Sequence, residues 1–249
     1  MSDIGDWFRS LPLFTRYWFG LSIFFPILGR LGLLNPRYLI LEFNSFIYNL
    51  QLWRPITAVF YYPLNPGTGF HYLLNLYFLY NYSVRLETDI FSNQPADYLF
   101  LLLFNWICIV IVGFLAEIWL LMDPLVLSVL YVWCQLKKDI IVNFWFGTQF
   151  KALYLPWVLL AFNVLFSGGG LYELIGILVG HLYFFFKFKY PQEFGGRALL
   201  RTPDILLHYF PNRVRGFGGF GQAPTPRRQP DDNNQRRYNW GRGHILGNQ

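Results

Sequence analysis

The sequence predicts an all-α integral membrane protein, a bundle of six transmembrane helices followed by a disordered cytosolic C-terminal tail. Three observations carry this. Hydrophobic residues make up 54% of the 249 and aromatics 21%, while charged residues are only 14%; soluble domains carry roughly 25%. Six apolar runs alternate with polar or turn-forming stretches along residues 1–189. At residue 190 the composition switches to Gly, Pro, Asn, Gln and Arg, which cannot build a core. A wholly disordered chain is excluded and a soluble globular one disfavoured.

The N-terminal stretch MSDIGDWFRSLP is polar and lacks the basic region and small-residue cleavage site of a secretory signal. Tyr17 to Leu34 reads as a first, uncleaved helix with a kinking Pro26. Residues 35–66 mix charges, prolines and aromatics, which suits the membrane–water interface. Within them Arg37–Leu52 can hold a short interfacial helix. Gly67 to Tyr82 gives the second helix and Tyr98 to Leu121 the third. The fourth, Leu125–Leu136, starts after Asp123-Pro124 and stops at Lys137-Lys138-Asp139. At ~1.5 Å per residue its span is about 20 Å, against about 30 Å of hydrocarbon. It therefore either hides inside the bundle or thins the bilayer. Residues 140–150 are interfacial. Ala152 to Phe166 is the fifth helix, Gly168-Gly169-Gly170 a break, and Leu171 to Phe188 the sixth. In the tail, Thr202–Phe210 forms a short surface helix.

Charge sets the orientation. Residues 1–189 hold 11 Lys and Arg against 10 acids, whereas residues 190–249 hold 9 Arg against 4 acids. Arg85, Lys137, Lys138, Lys151, Lys187 and Lys189 fall on the side of the Arg-rich tail. The positive-inside rule then puts both termini in the cytosol, although Arg30, Arg37 and Arg54 oppose it. The basic balance follows from that tail and implies no nucleic-acid partner. Cys108 and Cys134 lie in apolar runs without metal or disulfide spacing, so they read as small buried hydrophobes.

Chemistry is sparse. Ser128, Cys108 and Cys134 are the intramembrane nucleophiles, and His71, His181 and Glu173 the bases. No Gly-x-Ser-x-Gly elbow, HExxH pair or P-loop accompanies them. Asn75, Asn105, Gln135 and Asn163 read as interhelical hydrogen-bonding groups. No catalytic residue, metal site or cofactor is expected.

The layout resembles the rhomboid superfamily. Six helices, Trp53-Arg54 in a long first luminal loop, a short fourth helix and Gly176-x-x-x-Gly180 in the sixth all match it. His71-x-x-x-Asn75 looks like the HxxxN that rhomboid proteases use around their oxyanion site. The resemblance fails at the catalytic pair. Aligned through Tyr131, the nucleophile position holds Leu127, and the histidine position holds Tyr172 or Glu173. The longer strings WRPITAVFYYP, NLYFLYNYS, PADYLFLLLFNWICIV, SVLYVW and LVGHLYFF are similar to the derlin family of rhomboid pseudoproteases, in its metazoan derlin-one type.

That resemblance implies a non-catalytic, multi-pass protein of the endoplasmic reticulum membrane. Its role is to assist retrotranslocation of misfolded proteins in endoplasmic-reticulum-associated degradation, by forming a conduit or thinning the bilayer. Residues 1–189 are the rhomboid-like six-helix domain, with the loop at about 35–66. Residues 190–249 are the tail. At 240–247 the tail resembles a docking motif for the valosin-containing AAA+ ATPase, with Trp240, Gly241, Gly243, Leu246 and Gly247 as its residues. Trp53 and Arg54 are the luminal-loop motif. Gly176 and Gly180 are helix-packing positions, and His71 and Asn75 a residual oxyanion motif. Implied partners are that ATPase, a membrane ubiquitin ligase, misfolded substrates, membrane lipids and further copies of the chain, as in a tetramer. Two alternatives remain open at this level: an active rhomboid-type serine protease, and a membrane recruiter for the ATPase.

Overall fold

The computed structural model describes residues 3–143, 148–167, 169–193 and 199–212. The elements run α1 (Asp3–Ser10), α2 (Leu13–Arg30), a 3₁₀ turn at Pro36–Tyr38, α3 (Phe43–Tyr48), α4 (Arg54–Phe60) and α5 (Gly69–Arg85). A π turn at Leu86–Ile90 extends α5. There follow α6 (Pro95–Leu115), α7 (Met122–Leu136), strands β1 (Ile141–Asn143) and β2 (Gln149–Lys151), a 3₁₀ turn at Ala152–Tyr154 that runs into α8 (Leu155–Ser167), and α9 (Leu171–Phe184). A second π turn, Phe185–Lys189, leads to α10 (Tyr190–Glu193), and α11 (Asp204–Tyr209) closes the described chain.

The centre of the bundle is α7. Every residue from Met122 to Cys134 is buried. A helix that is apolar on all sides must be enclosed on all sides, and here α4, α5, α6, α8 and α9 enclose it. At 15 residues it is roughly 22 Å long at 1.5 Å per residue. Because other helices wrap it, lipid does not meet its short length. The short helix that faces outward is α8, with 13 residues and Trp157, Val164 and Leu165 exposed on its outer side.

Two helical segments are long and apolar enough to cross a membrane, Pro95–Leu115 and Leu171–Glu193. The segments Met122–Leu136 and Ala152–Leu165 are apolar but shorter. The remaining two runs are diluted by polar groups: α2 carries Arg16, Arg30 and Pro26, and α5 carries His71, Asn75, Asn81 and four tyrosines. The structure thus supports a mainly helical membrane protein, in which two of the six expected crossings fall, among the described residues, on helices long and apolar enough to span a bilayer.

Local differences from the sequence expectation have physical causes. Residues 37–52 do not form one interfacial helix. Leu39 and Leu41 are buried as anchors, and Leu50 takes φ 50° beyond α3, so the segment splits into a 3₁₀ turn and α3. Residues 140–150 include an antiparallel pairing, Ile141 opposite Lys151 and Asn143 opposite Gln149. The polar N-terminus forms α1, and Trp7 packs against Phe19 and Tyr80. The N-terminus of α2 has no local side-chain cap. Instead the Glu87 carboxylate, from the π turn after α5, accepts from the Phe14 and Thr15 amides at 3.0 and 2.8 Å and from the Thr15 hydroxyl. This satisfies donors that a helix start leaves open.

Past residue 189 the described chain stays on the body. Asp97, in the first turn of α6, accepts from Lys187 Nζ at 3.0 Å, from the Thr202 hydroxyl and from Asn212 Nδ2 at 2.7 Å. Phe210 meets Phe14 edge-on. The ATPase-docking motif predicted at 240–247 lies outside the described residues.

Candidate functional site

Three constructions stand out, and all are assembled from residues distant in sequence. The first is a clasp on the long loop. Arg54 is 3% exposed. Its Nη1 donates to the carbonyls of Arg37 and Ile40 at 2.7 and 2.9 Å, and its Nε donates to Gln51 Oε1 at 2.6 Å. Glu42 lies 3.6 Å from Nη2. A buried guanidinium demands such partners, so one side chain fixes the path of residues 37–51. Trp53, by contrast, is half exposed. The neighbouring turns are tied to the bundle through the Trp106 indole, which donates to Pro55 O, and through Leu121 N to Ala58 O and Leu41 N to Trp119 O.

The second construction is the seam between α7 and α9. A Cβ at Gly176 would fall 2.7 Å from Pro124 O and 2.9 Å from Leu127 Cβ. One at Gly180 would fall 2.7 Å from Ser128 O and 3.0 Å from Tyr131 Cβ. Glycine at both positions allows backbone-to-backbone contact, which is how helices gain packing in lipid without a hydrophobic driving force. The seam brings the sixth apolar run directly onto the fourth.

The third is a cavity of about 30 Å³ among α5, α7, α8 and α9, with a mostly apolar wall into which five polar side chains, His71, Asn75, Asp123, Asn163 and Glu173, are set. Asn75 Nδ2 donates to Asp123 Oδ1 at 2.6 Å, and Asn163 Nδ2 donates to Glu173 Oε1. His71 lies between the carboxylates, its Nδ1 3.9 Å from Asp123 Oδ2 and its Nε2 3.8 Å from Glu173 Oε1. The Tyr62 hydroxyl and His71 Nδ1 share a 2.8 Å hydrogen bond. Burial raises the Tyr62 pKa, and the nearby Asp123 and Glu173 raise it further, so the phenol stays protonated. The expected His71/Asn75 pair is thus in one cavity, but Asn75 is engaged by Asp123 rather than left free as an oxyanion donor.

The hydrolytic candidates are not brought together. Ser128 accepts from Asn105 Nδ2 at 3.0 Å and donates to Leu125 O. His181 pairs with the Tyr131 hydroxyl at 2.9 Å. Leu127 is buried between α7 and Gly176. Among the described residues, no serine or cysteine hydrogen-bonds a histidine. The sequence reading singled out His71 and treated Asp123 as a turn residue. The signal for the cavity was a carboxylate at the start of each of two apolar helices, where an isolated charge is costly.

Comparison with known proteins agrees with this class of molecule. The Der1-like family profile matches residues 11–204. The chain belongs to the Der1-like family, membrane proteins with a general role in endoplasmic-reticulum-associated degradation. It is 59% identical over 251 residues to Derlin-1 of Homo sapiens, with both chains covered in full. Identity is 46% to Derlin-1 of Drosophila melanogaster, over 98% of this chain and 99% of that one. It is 32% to a probable derlin-1 homologue of Dictyostelium discoideum, over 99% and 100%.

Proposed function

We propose that the chain is a non-catalytic membrane component of retrotranslocation, passing misfolded proteins from the lumen or membrane of the endoplasmic reticulum to the cytosol. Its six apolar segments each cross the bilayer, and both termini lie in the cytosol. The observation that carries the mechanism is the short outward-facing helix α8. Its 13 residues, with the 3₁₀ turn Ala152–Tyr154 that leads into it, reach roughly 25 Å, about 5 Å less than an ordinary hydrocarbon core. Lipid beside α8 thins to match, because leaving apolar tails against polar helix ends costs more than local thinning. A substrate segment sliding along α8 crosses a shorter apolar path. The Arg54 clasp holds the opposite-side loop as a fixed rim, with half-exposed Trp53 at its edge as a contact for substrate or headgroups.

The driving force comes from outside the bundle. Residues 240–247 supply an aromatic anchor, Trp240, and an aliphatic one, Leu246, spaced by Gly241 and Gly243, a form suited to docking in a groove of the valosin-containing AAA+ ATPase. A membrane ubiquitin ligase and further copies of the chain complete the assembly. The test is complementation. In cells depleted of their own family members, this chain should shorten the half-life of a misfolded luminal reporter. A Trp240→Ala, Leu246→Ala variant should reach the membrane, lose the ATPase in co-purification and leave the reporter long-lived. A wild-type chain that is folded in the reticulum membrane without accelerating clearance refutes the proposal.

A further inference from the structure

The cavity between α5, α7 and α9 has a chemistry that retrotranslocation does not use. One ligand atom each from His71, Asp123 and Glu173 lies within 4.8 Å of the other two. Asp123 and Glu173 are each 7% exposed, and among the described residues no lysine or arginine pairs with either carboxylate. Hydrogen bonds from Asn75 and Asn163 occupy one oxygen of each. Asp123 Oδ2 lies 3.9 Å from His71 Nδ1. Two residues buried to more than nine-tenths thus share the cavity with one imidazole and, among the described residues, with no basic side chain that pairs with their carboxylates. The cavity is about 30 Å³, and a water-sized occupant needs roughly 10–15 Å³.

We propose that His71, Asp123 and Glu173 form a binding site for a divalent first-row cation of the zinc type. Imidazole nitrogen with two carboxylate oxygens is a donor set that zinc accepts, with a fourth position left for water. Ligand atoms on one zinc sit roughly 3.3 Å apart at bond lengths of ~2.0–2.1 Å. The 3.8 Å between His71 Nε2 and Glu173 Oε1 therefore closes by about half an ångström on binding, and separations of up to 4.8 Å within the triad close by up to about 1.5 Å. His71 Nε2, 3.2 Å from Asn163 Nδ2 in the ion-free chain, is the ligand nitrogen, and the amide gives up that contact to the ion. With Nε2 on the ion, Nδ1 carries the proton and donates to the Tyr62 hydroxyl oxygen 2.8 Å away, the kind of outer partner a metal-bound imidazole takes, while the Asn75 amide, 3.3 Å from Nδ1, keeps its bond to Asp123. The ion neutralises two carboxylates that otherwise share a low-dielectric pocket, and it joins the ends of three helices that approach from different parts of the chain. The triad's numbering gaps, from 71 to 123 to 173, are why no ligand spacing shows in the sequence.

The experiment uses the full-length chain in lipid nanodiscs, stripped with chelator and titrated with zinc(II) alone. One saturable site per chain is expected, with Kd below about 10 µM. Asp123→Asn and Glu173→Gln, which keep side-chain shape, should each weaken binding at least tenfold. Zinc should raise the melting temperature of the wild type and not of either variant, since only binding to the native state stabilises it. X-ray absorption at the zinc edge of the wild type should show a single imidazole among oxygen donors, and this decides the matter even where a variant fails to fold. Absence of saturable binding overturns the proposal. So does binding that both variants retain, or an absorption spectrum with several imidazoles or with sulfur, any of which places the ion elsewhere.

Discussion

Replacing Gly176 by valine pushes three carbons into the place where α9 lies on α7. The first, Cβ, starts 2.7 Å from Pro124 O and 2.9 Å from Leu127 Cβ. Neither can give way, since one is backbone and the other is fixed to it. Ordinary contact is about 3.5–4.0 Å, so the helices must part by close to an ångström along a seam that Gly180 keeps equally tight. Overpacking of this kind costs about 1–3 kcal/mol. The two methyl groups add to it, while relief of glycine's poor helix propensity returns less than about 1 kcal/mol. A net loss of about 3 kcal/mol is expected, or roughly 6–12 °C in melting temperature for a chain of this size. The assay is thermal unfolding of the purified chain in one fixed detergent, followed by tryptophan fluorescence. Gly176→Ala should fall between wild type and valine. A valine variant melting within about 2 °C of wild type would refute the close-packed seam.

Other perturbations separate the remaining contacts. Arg54→Ala leaves the Arg37 and Ile40 carbonyls and the Gln51 side chain without their donor, at about 2–4 kcal/mol. Hydrogen exchange should rise sharply across residues 37–60 and little in α9, and unchanged exchange in the loop contradicts the clasp. Glu87→Ala removes the distant cap of α2 and should cost about 1–2 kcal/mol, read as faster exchange at the Phe14 and Thr15 amides. Asp97→Asn weakens the hold on Lys187, Thr202 and Asn212, so limited proteolysis should cut residues 199–212 sooner while the bundle's melting point moves little. Ser128→Ala should leave reporter clearance intact, because the Ser128 hydroxyl bonds Asn105 and the Leu125 carbonyl and no histidine; loss of clearance in a folded variant would revive a hydrolytic role.

What the sequence made legible follows from the physics of each element. The run from Tyr98 onward is long and nearly uncharged, so α6 announces itself, and the small residues at 176 and 180 mark a seam whose partner proves to be α7. Brevity of the fourth run was visible, but its consequence was not. Whether a short apolar helix faces lipid or protein depends on how many neighbours surround it, which periodicity does not reveal. Burial around all of Met122–Cys134 moves the mismatch from α7 to α8. Likewise Arg54 in an aromatic stretch signals an interface, yet its burial is set by carbonyls 14 and 17 residues away. The His71–Asp123–Glu173 cavity was the least legible feature. Each member is unremarkable beside its own neighbours, and only helix packing makes them neighbours of one another.

The most direct test of the account is electron cryo-microscopy of the full-length chain in a nanodisc thick enough for an ordinary bilayer, with lipid thickness measured around the bundle. The account predicts six crossings and a depression of about 5 Å in hydrocarbon thickness beside α8, with normal thickness beside the longer α6. A bilayer of even thickness around the whole bundle, or a chain in which α8 does not face lipid, would contradict it.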